Sequence, residues 1–289
     1  MSTQSAYTTL IEPTELAPYT DDADWVVLDC RFDLSRPEWG ATSYGERHIP
    51  NAIYAHLDRD LSSSITPTSG RHPLPQRDAF AATLGRWGID ASVQVVAYDQ
   101  GNGAYGARLW WLLRWVGHAR VAVLNGGFAA WQQAGLPVSN QSTARQPRQF
   151  DVRPSVGEAV TTVELEKLLA NRAFEAGTRM LIDARAADRF AGQNETLDPV
   201  AGHIPGARNR PFAHNLDPEG RFLPPATLRS RWLEALGGQD PATVIAMCGS
   251  GVTACHNLLA LEAAGLSGGQ LYAGSWSEWI RDRSHPVET

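Results

Sequence analysis

The stretch VIAMCGSGVTACHNLLALEAAG, Val244 to Gly265, runs from a short apolar segment to a cysteine, then through five small residues into a helical pattern. A β-branched apolar run of this length reads as a buried strand, the Gly-Ser-Gly turn as a tight loop, and the continuation as a helix. The same pattern stands earlier in the chain, as VQVVAYDQGNGAYGARLWWLL from Val93 to Leu113, with Val95 opposite Val244 and Asp99 opposite Cys248. A strand, a glycine-rich loop and a helix, used twice, point to a repeated α/β unit.

Working outward, the duplication covers most of the chain. VVLDCR (Val26 to Arg31) returns as MLIDAR (Met180 to Arg185), and ERHIPNA (Glu46 to Ala52) as AGHIPGA (Ala201 to Ala207). The halves close on LNGGFAAW (Leu124 to Trp131) and LYAGSWSEW (Leu271 to Trp279). The order is kept while the offset drifts, so one fold is used twice with loops of unequal length. The repeat is far too long for a solenoid. In each half the runs WVVLD, VQVVAY and VAVL, then MLID, TVIAM and QLY, alternate with helical patterns such as QRDAFAATLGRWG and ATLRSRWLEALGG. Such alternation predicts a mainly parallel sheet with helices on both faces. The polar segment from Ser139 to Ala159 lacks periodicity and reads as an exposed linker. We place the boundary near Gln149, giving domains 1–148 and 149–289.

Composition narrows the function. The chain has 289 residues, enough for about two domains, 43% of them hydrophobic, and a formal charge of -6. That balance gives no footprint for nucleic acid, which calls for a basic face. The N-terminal residues lack a basic start followed by an apolar core, and no run is long enough to span a membrane, so a cytoplasmic location is expected. Three cysteines, Cys30, Cys248 and Cys255, with no CxxC pair, fit neither a disulfide framework nor a zinc site, and no cofactor motif appears. GNGAYG, Gly101 to Gly106, has the look of a phosphate loop but stands opposite the cysteine loop and reads as its inert duplicate.

Cys248 is expected at the carboxyl end of a strand, where open α/β sheets bind ligands and the next helix presents its N-terminus. Its GSGVT successors leave room for backbone N–H groups to converge into a nest that favours an anionic sulfur. Packing alone would be the ordinary role of a lone buried cysteine, and the loop composition argues against it. A cysteine phosphatase would need an arginine six residues on to grip phosphate, and that position is Ala254.

Together the tandem halves, the paired HIP motifs, GSWSEW and above all CGSGVTA resemble the two-domain rhodanese superfamily, and the loop is similar to that of 3-mercaptopyruvate sulfurtransferases. The resemblance runs from about Leu28 to Trp279 and implies two tandem rhodanese-like domains. It implies transfer of a sulfane sulfur from a small anionic donor to Cys248, giving a persulfide, and then to a thiol acceptor, such as a thioredoxin-like protein, or to cyanide. The loop Gly249, Ser250, Gly251, Val252 and Thr253 would hold that persulfide, and the first half, with Asp99 at its loop start, would be an inactive copy. By the same resemblance Arg189 contacts the donor's anionic group, with Arg185 beside it, either on the donor or paired with Asp183 to order the loop. His48 matches a histidine grouped in that family with an aspartate and the loop serine, here Ser250, although its HIP turn, shared with His203, equally suits a structural histidine. No aspartate falls at the matching spacing. Between Phe190 and His203 the chain lacks the second arginine of mercaptopyruvate enzymes, and Gly249 and Ser250 stand where thiosulfate enzymes carry basic residues. Mercaptopyruvate is therefore favoured, with thiosulfate, or a persulfide carrier without turnover, as alternatives. Cys255 reads as a packing residue or a resolving thiol, and Trp276 and Ser275 as part of the mouth of the site.

Overall fold

A computed structural model describes residues 6–289. The chain divides into two compact units, and each contains a short segment from the opposite half of the sequence. One comprises the residues up to Ser62, Pro75–Val156 and Pro218–Phe222; the other comprises Ser63–Leu74, Gly157–Asp217 and Leu223–Thr289.

In the first unit five parallel strands, β1 (Leu10–Ile11), β2 (Trp25–Asp29), β3 (Ile53–Tyr54), β4 (Gln94–Tyr98) and β5 (Val121–Leu124), lie in the order β1-β5-β4-β2-β3. Helices α1 (Pro13–Leu16), α2 (Trp39–Glu46), α3 (Arg77–Arg86), α4 (Ala104–Trp115) and α5 (Gly127–Gln133) cover the sheet. Every residue of β2, β4 and β5 is buried. Because successive side chains on a strand point to opposite faces, that pattern requires cover on both.

The second unit repeats the design. Strands β6 (Ala159–Val160), β7 (Met180–Asp183), β8 (Arg208–Asn209), β9 (Val244–Met247) and β10 (Gln270–Tyr272) lie in the order β6-β10-β9-β7-β8, again all parallel. Its helices are α6 (Thr162–Ala170), α7 (Ala187–Phe190), α8 (Pro225–Leu236), α9 (Thr253–Ala263) and α10 (Ser275–Trp279). The α6 start is fastened by a capping box between Thr161 and Glu164, and α8 ends where Gly237 takes a left-handed φ of 58°. Ile245 and Met247 of β9 pack with Leu181, Tyr272, Trp276 and Trp279 in one core cluster. The shared strand order bears out the duplication read from the sequence. Both units are α/β with helix-covered parallel sheets, as expected.

The linker from Ser139 carries no helix or strand up to β6, yet it is fastened to the first unit. Amides of Arg148, Arg153 and Val156 donate to carbonyls of Gly85, Val116 and Arg114. No described helix is long and apolar enough to cross a membrane.

Candidate active site

Strand β9, wholly buried, delivers Cys248 to the carboxyl edge of the second sheet. Cys248 is 2% exposed. The amide of Gly251 donates to its Sγ at 3.2 Å. Gly251 itself has φ +77°, and a Cβ there would lie 2.3 Å from the carbonyl oxygen of Ala273, so only glycine closes the loop in this way. The first turn of α10 supports the loop from outside. The Cys248 amide donates to Ser275 Oγ at 3.0 Å, while amides of Trp276 and Ser277 donate to the carbonyls of Cys248 and Gly249. This accounts for GSWSEW: its serine and its backbone amides fix the loop ends.

The corresponding loop of the first unit shows what the architecture selects for. Asp99 stands at the position of Cys248, and its carboxylate accepts from the amides of Gly101 and Gly103 at 3.0 Å, Tyr105 at 2.9 Å and Gly106 at 3.5 Å. Burial pushes the Asp99 carboxyl up while those amides pull it down. The loop is a backbone cradle for a negative charge, filled by a carboxylate in one unit and offered to a sulfur in the other.

A segment from the first half of the chain completes the second site. Residues Ser63–Leu74 belong to the second unit, held where Arg71 donates its amide to Ser277 Oγ at 3.0 Å and Arg281 Nε donates to the carbonyl of Ser69 at 3.1 Å. His72, buried, places Nδ1 2.8 Å from Ser250 Oγ. Arg71 reaches over the cysteine loop: its Nη2 lies 2.9 Å from where a Cβ on Gly249 would sit, and both Nη atoms of Arg189 lie 3.7 Å from the same point. A side chain at position 249 would fill the space in front of two guanidinium groups.

Arg189 sits in α7 and is held by Glu195, with Nε at 3.1 Å and Nη2 at 2.8 Å, and by Asp198 at 3.3 Å. Asp198 also pairs with Arg71. Glu195 is anchored in turn by the amides of Leu197 and Asp198. These amides and Arg189 outweigh its burial and hold its carboxyl below the usual range. Asp198 behaves oppositely, because burial pushes it up more than the arginines pull it down.

The arrangement of two equal sheets, two anion cradles and one cysteine matches a known design. A family model for the rhodanese-like domain fits residues 12–134 and again 162–282. The chain belongs to the rhodanese-like family. It is 46% identical over 282 residues to a Pseudomonas aeruginosa protein named a probable 3-mercaptopyruvate sulfurtransferase, covering 97% of this chain and 98% of that one. It is 38% identical over 282 residues to a Mycobacterium tuberculosis protein provisionally named a thiosulfate sulfurtransferase, covering 96% of each. Among solved structures it resembles the 3-mercaptopyruvate sulfurtransferase of Leishmania major, with a TM-score of 0.81 at 31% identity over 94% of this chain and 74% of that one.

Against the expectations for a rhodanese-like site, Cys248, its loop and Arg189 come together. Arg185 does not face the loop as a free cation: its guanidinium makes a bidentate pair with Asp183, bonds the carbonyl of Gly202 and stacks over Trp276, with 1% of its side chain exposed. Arg31 and Asp29 repeat that pair in the first unit, which marks it as a feature of the fold. Of the two readings of His48, its contacts are those of the structural one. It lies in the first unit, stacked on Tyr44, with its ring nitrogens 2.7 Å from the carbonyl of Tyr44 and 3.1 Å from that of Gln141, and it is His72 that meets Ser250. Cys255 donates its thiol to the carbonyl of Gly251 at 3.2 Å and is wholly buried, contacts that suit the packing reading. The missed residues are Arg71, His72, Glu195 and Asp198. The signal for the first two was the pair itself, a cation and an imidazole adjacent in the loop TSGRHPLP.

Proposed function

We propose that this chain is a sulfurtransferase that takes sulfur from 3-mercaptopyruvate through Cys248 and passes it to a thiol. The observation that carries this reading is the cradled thiol of Cys248 with Arg71 and Arg189 both facing Gly249. The relatives named for mercaptopyruvate support the same donor.

The donor's carboxylate binds the two guanidinium groups, which brings its thiol-bearing carbon to the cysteine loop. The Cys248 thiolate attacks the donor sulfur, an S–S bond forms, and the C–S bond breaks with its electron pair left on the three-carbon fragment as an enolate. Negative charge grows on the donor's carbonyl oxygen in this step. Ser250, backed by His72, donates a hydrogen bond to it. The proton of the donor thiol ends on the enolate carbon, releasing pyruvate and leaving an anionic persulfide in the cradle. A thiol acceptor, for which a thioredoxin-like protein is the family-level candidate, then attacks the outer sulfur and frees the Cys248 thiolate. Asp99 has no sulfur to carry, so the first unit contributes scaffold.

Charge favours mercaptopyruvate over thiosulfate. Arg71 and Arg189 are faced by Glu195 and Asp198, a near-neutral set that accepts a monocarboxylate more readily than a dianion. The test is sulfur transfer to cyanide by the purified protein with each donor, beside Cys248→Ser. Mercaptopyruvate turnover that the serine variant lacks is the expected result. Absence of turnover with either donor, with Cys248 taking sulfur only from a persulfidated protein, would leave a carrier instead.

A further inference from the structure

The segment between Phe190 and His203 carries no arginine, and the structure fills the place with an acid. Asp198 lies 3.3 Å through Oδ2 from Arg189 Nη2 and pairs through Oδ1 with Arg71 Nη1. One carboxylate thus bridges the two guanidinium groups that face Gly249. We infer that Asp198 is an internal stand-in for the donor's carboxylate, which occupies the Arg71–Arg189 pair between turnovers and must be displaced when the donor binds. This inference rests on the sulfurtransferase reading above and deepens it.

Three observations separate a displaceable carboxylate from a structural strut. First, Glu195, three residues away, shows what a strut looks like: it accepts two backbone amides and takes the short contacts to Arg189 at 2.8 Å. Asp198 accepts no backbone amide among the described residues, and its contact to Arg189 is the longest of that set. Second, Arg71 makes its only side-chain hydrogen bond among the described residues to Asp198, through Nη1, leaving Nη2 aimed at the loop. A carboxylate that enters over Gly249 can take both Nη atoms at once, the stronger bidentate geometry. Third, Arg71 and Asp198 line an open cleft of about 660 Å³ with Leu197, Ser277 and Arg281, which gives the displaced side chain space to turn into. The raised carboxyl of Asp198 agrees with a charge that is only partly compensated where it sits.

Such a plug sets affinity and selectivity together. Each donor pays for displacement, and a dianion also meets the repulsion of the displaced charge twice over, so thiosulfate suffers more than mercaptopyruvate. Asp198→Asn keeps the shape and removes the charge. The expected result is a KM for mercaptopyruvate lower by about three- to tenfold, tighter competitive inhibition by pyruvate, and a larger gain in kcat/KM for thiosulfate. An unchanged or raised KM, with pyruvate inhibition unchanged or weaker, would overturn the inference, since a strut loosens the arginines when lost. A crystal structure of the wild-type protein soaked with pyruvate gives a second arm that needs no variant. A pyruvate carboxylate between Arg71 and Arg189 with Asp198 turned away supports the plug; Asp198 still bridging both arginines overturns it. Failure of the wild-type protein to use mercaptopyruvate at all would strike the function reading instead, and the two failures are therefore distinct.

Discussion

The Nδ1 of His72 stands 2.8 Å from Ser250 Oγ, although 178 positions separate the two residues in the chain. Both side chains are buried, so the contact is formed away from competing water and orients the serine hydroxyl beside Cys248. A histidine from the first half of the sequence thereby serves the loop of the second half, within one compact unit.

His72→Ala should lower kcat by about a hundredfold, because the hydroxyl loses the group that orients and backs it. His48→Ala is the contrasting variant. It removes contacts to two backbone carbonyls in the first unit and should cost about 1–3 kcal/mol of stability while leaving kcat near the wild-type value. Steady-state kinetics and urea unfolding on both variants check the pair.

Arg71→Ala and Arg189→Ala should each raise the KM for mercaptopyruvate by about ten- to a hundredfold, the loss of a charge-assisted hydrogen bond of about 1.5–3 kcal/mol. Arg185→Ala should behave differently. Its guanidinium is spent on Asp183 and Gly202, so the change leaves a buried carboxylate unpaired and appears as about 3–5 kcal/mol of lost stability. Thermal unfolding beside the kinetics separates the two classes.

Gly251→Ala should destabilise the second unit by about 2–4 kcal/mol and abolish persulfide formation. The left-handed φ of +77° and the 2.3 Å approach to the Ala273 carbonyl force the loop open, and the amide that meets Cys248 Sγ moves with it. Mass spectrometry of Cys248 after exposure to mercaptopyruvate reads the second effect directly.

In the first unit, burial lowers the His118 pKa to about 4, and its Nε2 has no hydrogen-bond partner among the described residues. The unfolded chain takes up a proton near pH 6.5 that the folded one refuses, so it binds more protons below that pH. Stability should therefore fall as pH drops from about 6.5 to about 4 and level off below, by up to about 3 kcal/mol. Urea unfolding at pH 7 and pH 4.5 should show the fall, and His118→Gln should flatten it.

The sequence alone determined the α/β class, the duplication and the cysteine loop, and resemblance to a family pointed to Arg189. Strand runs such as MLID and VIAM and the repeated HIP turns are local, and the glycines of CGSGVT state their own backbone geometry. Tertiary structure alone decided which histidine meets Ser250 and which second cation joins Arg189 in front of Gly249. The loop Ser63–Leu74 has no periodicity and lies far along the chain from Ser250 and Gly249, and only packing against the α10 turn brings His72 and Arg71 to them. The tertiary structure also decided between the two readings of Arg185, whose guanidinium is held by Asp183. Spacing along the chain specifies neighbours on one strand or helix, whereas a site built from loops is specified by which surfaces bury one another, and that information exists only once the chain has folded.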